Sequence, residues 1–146
     1  TSDSHGRTTA LKEIAAKHMK ARLYLDAGDS ESDDTAIYPF LTVRGNRDRL
    51  ADNRYRIVEM EGWRFFIFHG DRSSLDNEYL ANLAKNNNCQ FIIHGHTHVP
   101  YHVIHQGIHI INPGSITYPR SSKGATYALV NIKGEEVKVE FRKAKE

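Results

Sequence analysis

The chain has 146 residues, of which 39% are hydrophobic and 26% charged, with a net charge of +2 when histidines are neutral. That is enough for a single domain spanning 1–146 with a core of its own, and no apolar run nears the roughly 20 residues of a membrane helix. So small and dispersed a charge leaves no nucleic-acid footprint. The lone Cys89 excludes an internal disulfide and fits a reducing compartment, so a cytoplasmic location is expected.

The opening residues, Thr1-Ser2-Asp3-Ser4-His5-Gly6, read as the end of a strand entering a loop, and a first strand is expected ahead of them. Thr8 or Thr9 can cap a helix over about Thr9 to Lys20, where Leu11, Ile14, Ala15 and His18 recur at helical spacing. Arg22 to Asp26 and Phe40 to Arg44 read as short buried strands, separated by an acidic, solvated loop from Ser30 to Thr35. This alternation predicts a parallel α/β half.

Arg56 to Met60 and Arg64 to Phe68 then read as a hairpin about Glu61-Gly62. Asp76 to Lys85 is a predicted helix with Leu75, Tyr79, Leu80 and Leu83 on one face, and Phe91-Ile92-Ile93 a fully buried strand. Tyr101 to His105, Ile108 to Asn112, Thr126 to Lys133 and Val137 to Arg142 are predicted antiparallel strands, with tight turns at Gly107 and Gly134. Two stacked sheets flanked by helices fit this order. Cys89, ahead of a buried strand, is expected to be buried itself.

Nine histidines are many for this length, and His94, His96 and His98 lie within five residues. Short apolar strands repeatedly end in a metal-capable residue beside a glycine. Asp3 and His5 precede Gly6, Asp29 follows Gly28, Asn46 follows Gly45, His69 precedes Gly70, and His96 and His98 follow Gly95. Ligands gather at the carboxyl ends of strands in α/β sheets. Five such ends converging would bring seven ligands into one pocket. Imidazole, carboxylate and amide oxygen together suit manganese, iron, zinc, cobalt or nickel rather than calcium. Seven ligands exceed one tetrahedral zinc and suit two cations, the arrangement that clamps both oxygens of a phosphoryl displacement.

This ordered set, Asp-x-His, Gly-Asp, Gly-Asn-x-Asp, His and Gly-His-x-His, resembles the calcineurin-like metallophosphoesterase superfamily across Asp3 to His98. The start Ser-Asp-Ser-His-Gly, the later Asn112-Pro113-Gly114-Ser115 and the pair Pro119-Arg120 are similar to the small YfcE-like phosphodiesterase branch, which also contains a retromer-subunit scaffold. The resemblance implies a four-layer α/β/β/α sandwich of two mixed sheets flanked by helices. It implies one cation on Asp3, His5, Asp29 and His98 and a second on Asp29, Asn46, His69 and His96, with Asp29 bridging and manganese favoured. It further implies a metal-bridging hydroxide attacking a phosphodiester in line, with Asp29, Asn46, His69, His96 and His98 as the catalytic set. Asp48 is expected to orient a ligand or cap the next turn.

One position departs from the family. Many members carry histidine after Gly-Asn, where this chain has Arg47. A guanidinium stays charged and cannot act as a general acid. Arg47 and Arg120 are instead candidates for holding substrate phosphate. The same residue set leaves open a phosphomonoesterase or nucleotidase, and a protein-binding scaffold on the same fold. Phosphoester small molecules are the expected substrates, self-association as a homo-oligomer is left open, and nothing points to nucleic acid or membrane.

Overall fold

A computed structural model describes residues 1–48 and 53–144. The middle of the chain forms a mixed sheet from β1 (Tyr55–Met60), β2 (Trp63–Phe68), β3 (Phe91–Ile93), β4 (Tyr101–His105) and β5 (Ile108–Asn112). Its strand order is β1-β2-β3-β5-β4. The hairpins β1–β2 and β4–β5 each turn through two residues with positive φ, Glu61-Gly62 and Gln106-Gly107. That geometry matches the right-handed twist of the strands they join. β3 lies parallel to both β2 and β5. The predicted antiparallel pairs about Gly107 and Gly134 form as β4–β5 and β6–β7, and β5 pairs in parallel with β3 on its other side.

Central parallel strands are buried on both faces and so read as continuous apolar runs. Phe66, Ile92 and Ile110 pack beneath α2 (Asn77–Asn86) together with its Leu80, Ala81 and Ala84. Asp76 caps this helix by accepting the Tyr79 N–H at 3.3 Å. Tyr79, expected on the buried face, is half exposed. The small Ala81 and Ala84 take its place against the sheet.

The opposite face presents Phe65, Ile67, Phe91, Ile93 and Ile111 to a second layer, where Ala27, Val43, Ala128 and Val130 meet them. That layer contains the antiparallel hairpin of β6 (Thr126–Lys133) and β7 (Glu136–Lys143). The strands expected at 22–26 and 40–44 are extended but reduced to one parallel bridge, Leu25 with Leu41. On either side of the bridge, backbone amides donate to carboxylates instead of to a neighbouring strand: Gly28 to Asp26, Asp29 and Gly45 to Asp48, and Thr42 to Asp34. Beyond this layer lies α1 (Thr8–Lys17), with Leu11 and Ile14 packed on Ile37, Phe40, Ile116 and Tyr127. It stops three residues short of the expected Lys20, because the His18 N–H turns back to the carbonyl of Ala15. Neither threonine caps it; Arg7 occupies that place without a side-chain hydrogen bond. The order α2, five-stranded sheet, second layer, α1 is the expected four-layer arrangement.

No helix among the described residues is long and apolar enough to cross a membrane. A cavity of about 680 Å³ lies between the Leu23–Leu25 segment and β6 and holds none of the seven candidate ligands. Those gather at the other end of the layers.

Candidate metal centre

β2 and β3 end at Phe68 and Ile93, and the Leu25–Leu41 bridge ends two parallel segments. His69 follows its strand directly, and His96, His98, Asp29 and Asn46 lie a few residues beyond theirs. The first loop joins them through main-chain hydrogen bonds, Asp3 N–H to Gly28 at 3.0 Å and His5 N–H to Asp29 at 2.8 Å. Gly95 N–H donates to the carbonyl of His69 at 3.1 Å, tying the two histidine loops together.

Five of the seven candidates have left-handed backbone, Asp3, His5, Asp29, His96 and His98, with φ between 48° and 72°. Residues other than glycine seldom adopt this region, at a cost of order 1–3 kcal/mol each, and such residues cluster at functional sites. Close approach explains two glycines. A Cβ on Gly45 would fall 2.2 Å from Asp29 Oδ1, and one on Gly95 would fall 2.0 Å from Ser2 Oγ.

Asp3 is fully buried and aimed. Its Oδ2 accepts from Ser2 Oγ at 2.6 Å and from His96 N–H at 3.1 Å. Its Oδ1 faces the imidazoles, 3.2 Å from His98 Nε2, 3.6 Å from His69 Nε2 and 4.0 Å from His5 Nε2. His69 Nε2 also lies 3.2 Å from Asp29 Oδ2. His69 and His98 use their other nitrogens to reach main-chain carbonyls, Ala27 at 2.8 Å and Tyr118 at 2.6 Å. A carbonyl only accepts, so Nδ1 carries the proton in both rings. That leaves Nε2 as the atom facing the centre, the usual way a ligating histidine is oriented.

The charge environment follows. Burial opposes protonation of His69, but the carboxylates of Asp29 and Asp3 outweigh it and raise its pKa to about 9. Burial likewise opposes ionisation of Asp29, but His69, the Arg47 N–H and His5 hold its carboxyl below the ordinary range. His94, buried beside the centre, is pushed down chiefly by desolvation.

Whether the residues fit a cation is answered by their unsatisfied atoms. Asp3 Oδ1, His5 Nε2 and His69 Nε2 are buried without a hydrogen-bond partner. Buried polar atoms are normally paired, so each such exception needs an explanation. Here they belong to two overlapping donor groups, Asp3 with His5 and His98, and Asp3 with Asp29 and His69, each within 4.8 Å. These donor types accept divalent cations. The residue common to the two groups is Asp3, whereas the family pattern assigns the bridging position to Asp29. Neither group includes His96, whose ring stands 5.3 Å from that of His69. Asn46 is exposed, on a loop whose neighbour Arg47 donates its N–H to Asp29 Oδ1 at 2.7 Å.

Asp48 is the expected orienting residue, and it does more than cap a turn. Its carboxylate accepts from the amides of Asp29 at 2.8 Å, Glu31 at 2.6 Å and Gly45 at 2.7 Å. One buried side chain thus fixes two candidate ligand loops.

A cleft of about 660 Å³ opens on the centre, lined by His5, His98, Arg47, Arg120, Glu31 and Tyr118 among others. Both arginines singled out for phosphate therefore share one cleft. Glu31 and Tyr118 escaped sequence reasoning. The acidic loop reads as solvated, but Glu31 comes within 3.6 Å of His5 Nδ1, and Asp34 pairs with Arg56 at 2.7 Å. Only folding discloses such contacts, because Tyr118 lies 113 residues from His5 in the chain.

Comparisons with known proteins agree with this geometry. The calcineurin-like phosphoesterase superfamily domain matches residues 1–135. The probable metallophosphoesterase YsnB of Bacillus subtilis is 31% identical over 96% of this chain and 86% of its own. The phosphodiesterase YfcE of Escherichia coli K12 is 26% identical over 88% of this chain and 67% of its own. A crystal structure of a predicted phosphoesterase from Streptococcus pneumoniae superposes with a TM-score of 0.90 at 28% identity, covering 99% of this chain and 87% of that one. A metal-capable cluster at strand ends, in a fold shared with phosphoesterases of known structure, leads to one conclusion: the chain belongs to the calcineurin-like phosphoesterase superfamily, in its YfcE-like branch.

Proposed function

We propose that this protein hydrolyses phosphodiesters at a centre of two divalent cations, manganese foremost, held by Asp3, His5, Asp29, Asn46, His69, His96 and His98. The observation that carries the reading is the cluster of buried, unpartnered donor atoms on Asp3, His5 and His69. When bound, such a pair of cations supplies an activated water near neutral pH and offsets charge on the phosphoryl oxygens.

The chain's own residues do the rest. Ser2 and the His96 amide hold Asp3 so that one oxygen faces the centre. Carbonyls of Ala27 and Tyr118 fix the histidine tautomers. Arg47 and Arg120 stand in the cleft where a planar fork can grip non-bridging phosphate oxygens. Arg47 cannot protonate a leaving alkoxide, so the reaction favours esters whose leaving group departs as a stable anion.

The test compares bis-p-nitrophenyl phosphate with p-nitrophenyl phosphate in excess manganese. Faster release from the diester is expected, with Asp29→Asn and His96→Ala each lowering the rate by on the order of 100-fold or more. Faster release from the monoester would instead favour a phosphomonoesterase or nucleotidase. Absence of release from either, with both substitutions leaving the protein's function in cells untouched, would leave a binding scaffold. All seven ligand positions carry metal-capable side chains, which favours the enzyme.

A further inference from the structure

We propose that Tyr118 is a stacking platform, and that the substrates of this centre are phosphodiesters carrying a nucleoside. The inference rests on the phosphodiesterase reading and names its substrate class. Tyr118 is a large aromatic residue with 50% of its surface exposed, in the wall of the cleft that opens on the candidate ligands. Its backbone is held at both polar groups, the N–H by Ser115 Oγ at 2.8 Å and the carbonyl by His98 Nδ1 at 2.6 Å. The ring meets the His5 ring edge-on, with centroids 5.3 Å apart. The Arg7 guanidinium carbon stands 5.8 Å from its centroid.

An aromatic ring fixed beside a metal-ligand candidate and still half open to solvent offers a flat apolar surface at low entropic cost. Bases stack on such rings regardless of identity, because every base has a π-face. Arg47 and Arg120 line the same cleft and supply cationic groups for phosphate oxygens. Glu31, in that wall too, offers a carboxylate that can accept from ribose hydroxyls. A ring, a phosphate and hydroxyls within one cleft describe a nucleoside phosphodiester. A simple alkyl diester would leave the ring unused.

Two diesters sharing one leaving group test this with manganese-loaded protein: thymidine 5′-(p-nitrophenyl phosphate) and methyl p-nitrophenyl phosphate. The expected kcat/KM ratio favours the nucleoside ester by about tenfold or more, carried mainly by KM. Tyr118→Ala should bring that ratio to within about threefold of one, and Tyr118→Phe should restore it. A wild-type ratio near one overturns the proposal. So does a Tyr118→Ala variant that slows both esters alike while keeping the ratio, since that marks a residue acting only through His98. If wild type cleaves neither ester, the phosphodiesterase reading fails and stacking is judged by calorimetry. Thymidine 5′-monophosphate should then bind about tenfold tighter than inorganic phosphate to wild type and equally to Tyr118→Ala. Equal binding to wild type overturns it.

Discussion

The five-stranded sheet and the layer facing it are held together by different means. In the sheet, Phe66, Ile92 and Ile110 repeat on one face and Phe65, Ile67 and Phe91 on the other, and ladders of main-chain hydrogen bonds fix the register. In the facing layer, the stretch around the centre lies beside the β6–β7 hairpin and has, among the described residues, a single bridge of Leu25 with Leu41, and carboxylates there do the work of a ladder. The sheet is specified by apolar periodicity and tolerates a hydrophobic change locally. The loops are specified by individual polar atoms, so one substitution there reaches several candidate ligands at once.

Ile92→Ala should separate the two most sharply. It removes a fully buried side chain beneath α2 and should cost about 2–5 kcal/mol of stability in denaturant titrations. Its manganese affinity below the unfolding transition should equal that of wild type; a large affinity loss would mean the two regions are not separable.

Metal addition addresses the other side. Manganese at about a hundredfold excess over its Kd should stabilise wild type by about 2.7 kcal/mol, and Ile92→Ala by the same increment. His69, with a pKa of about 9, keeps a proton at neutral pH that a bound cation must displace. In metal-free protein the folded state therefore holds more protons than the unfolded one above pH 6.5. The stability this gives is present below that pH and lost as pH rises through about 9. Manganese binding should tighten between pH 7 and 9 with measurable proton release in calorimetry; affinity independent of pH would contradict the pairing of His69 with the carboxylates.

Asp48→Asn should lower manganese affinity by about 10–100-fold, with less loss of stability than Ile92→Ala. Unchanged affinity would show that the three amides it holds do not position the ligands.

The smallest effect is expected far from the centre. His102 Nε2 and His109 Nδ1 lie 3.1 Å apart across β4 and β5, and burial lowers the pKa of both. The unfolded chain binds more protons near pH 6.5, so stability is complete above that value and declines as pH falls below it. Replacing both with glutamine should flatten this acid limb in thermal melts, and an unaltered limb would assign it to other groups.

The regular half was the more legible from sequence. Alternation and turn pairs placed β1, β2, β6 and β7 to within a residue or two, because main-chain ladders obey a fixed period. Ends of α1 and the segments at 22–26 and 40–44 were misjudged, since there tertiary hydrogen bonds compete with the local pattern. Candidate ligands were legible through ordered motifs, each at the end of a short apolar run. Their supporting contacts were not. Glu31 beside His5 and Tyr118 behind His98 carry no local signature, and convergence of the strand ends foretells neither contact.

Left-handed backbone at Asp3, His5, Asp29, His96 and His98 bears on how far this centre can be re-engineered. Aspartate and histidine are among the few side chains enriched in that conformation, and β-branched residues are outliers there. Chain geometry and coordination chemistry thus select the same short alphabet. Exchanging these donors for threonine hydroxyls would strain the main chain before any new affinity were gained, so tuning toward another cation has more freedom at the residues that hold the donors than at the donors themselves.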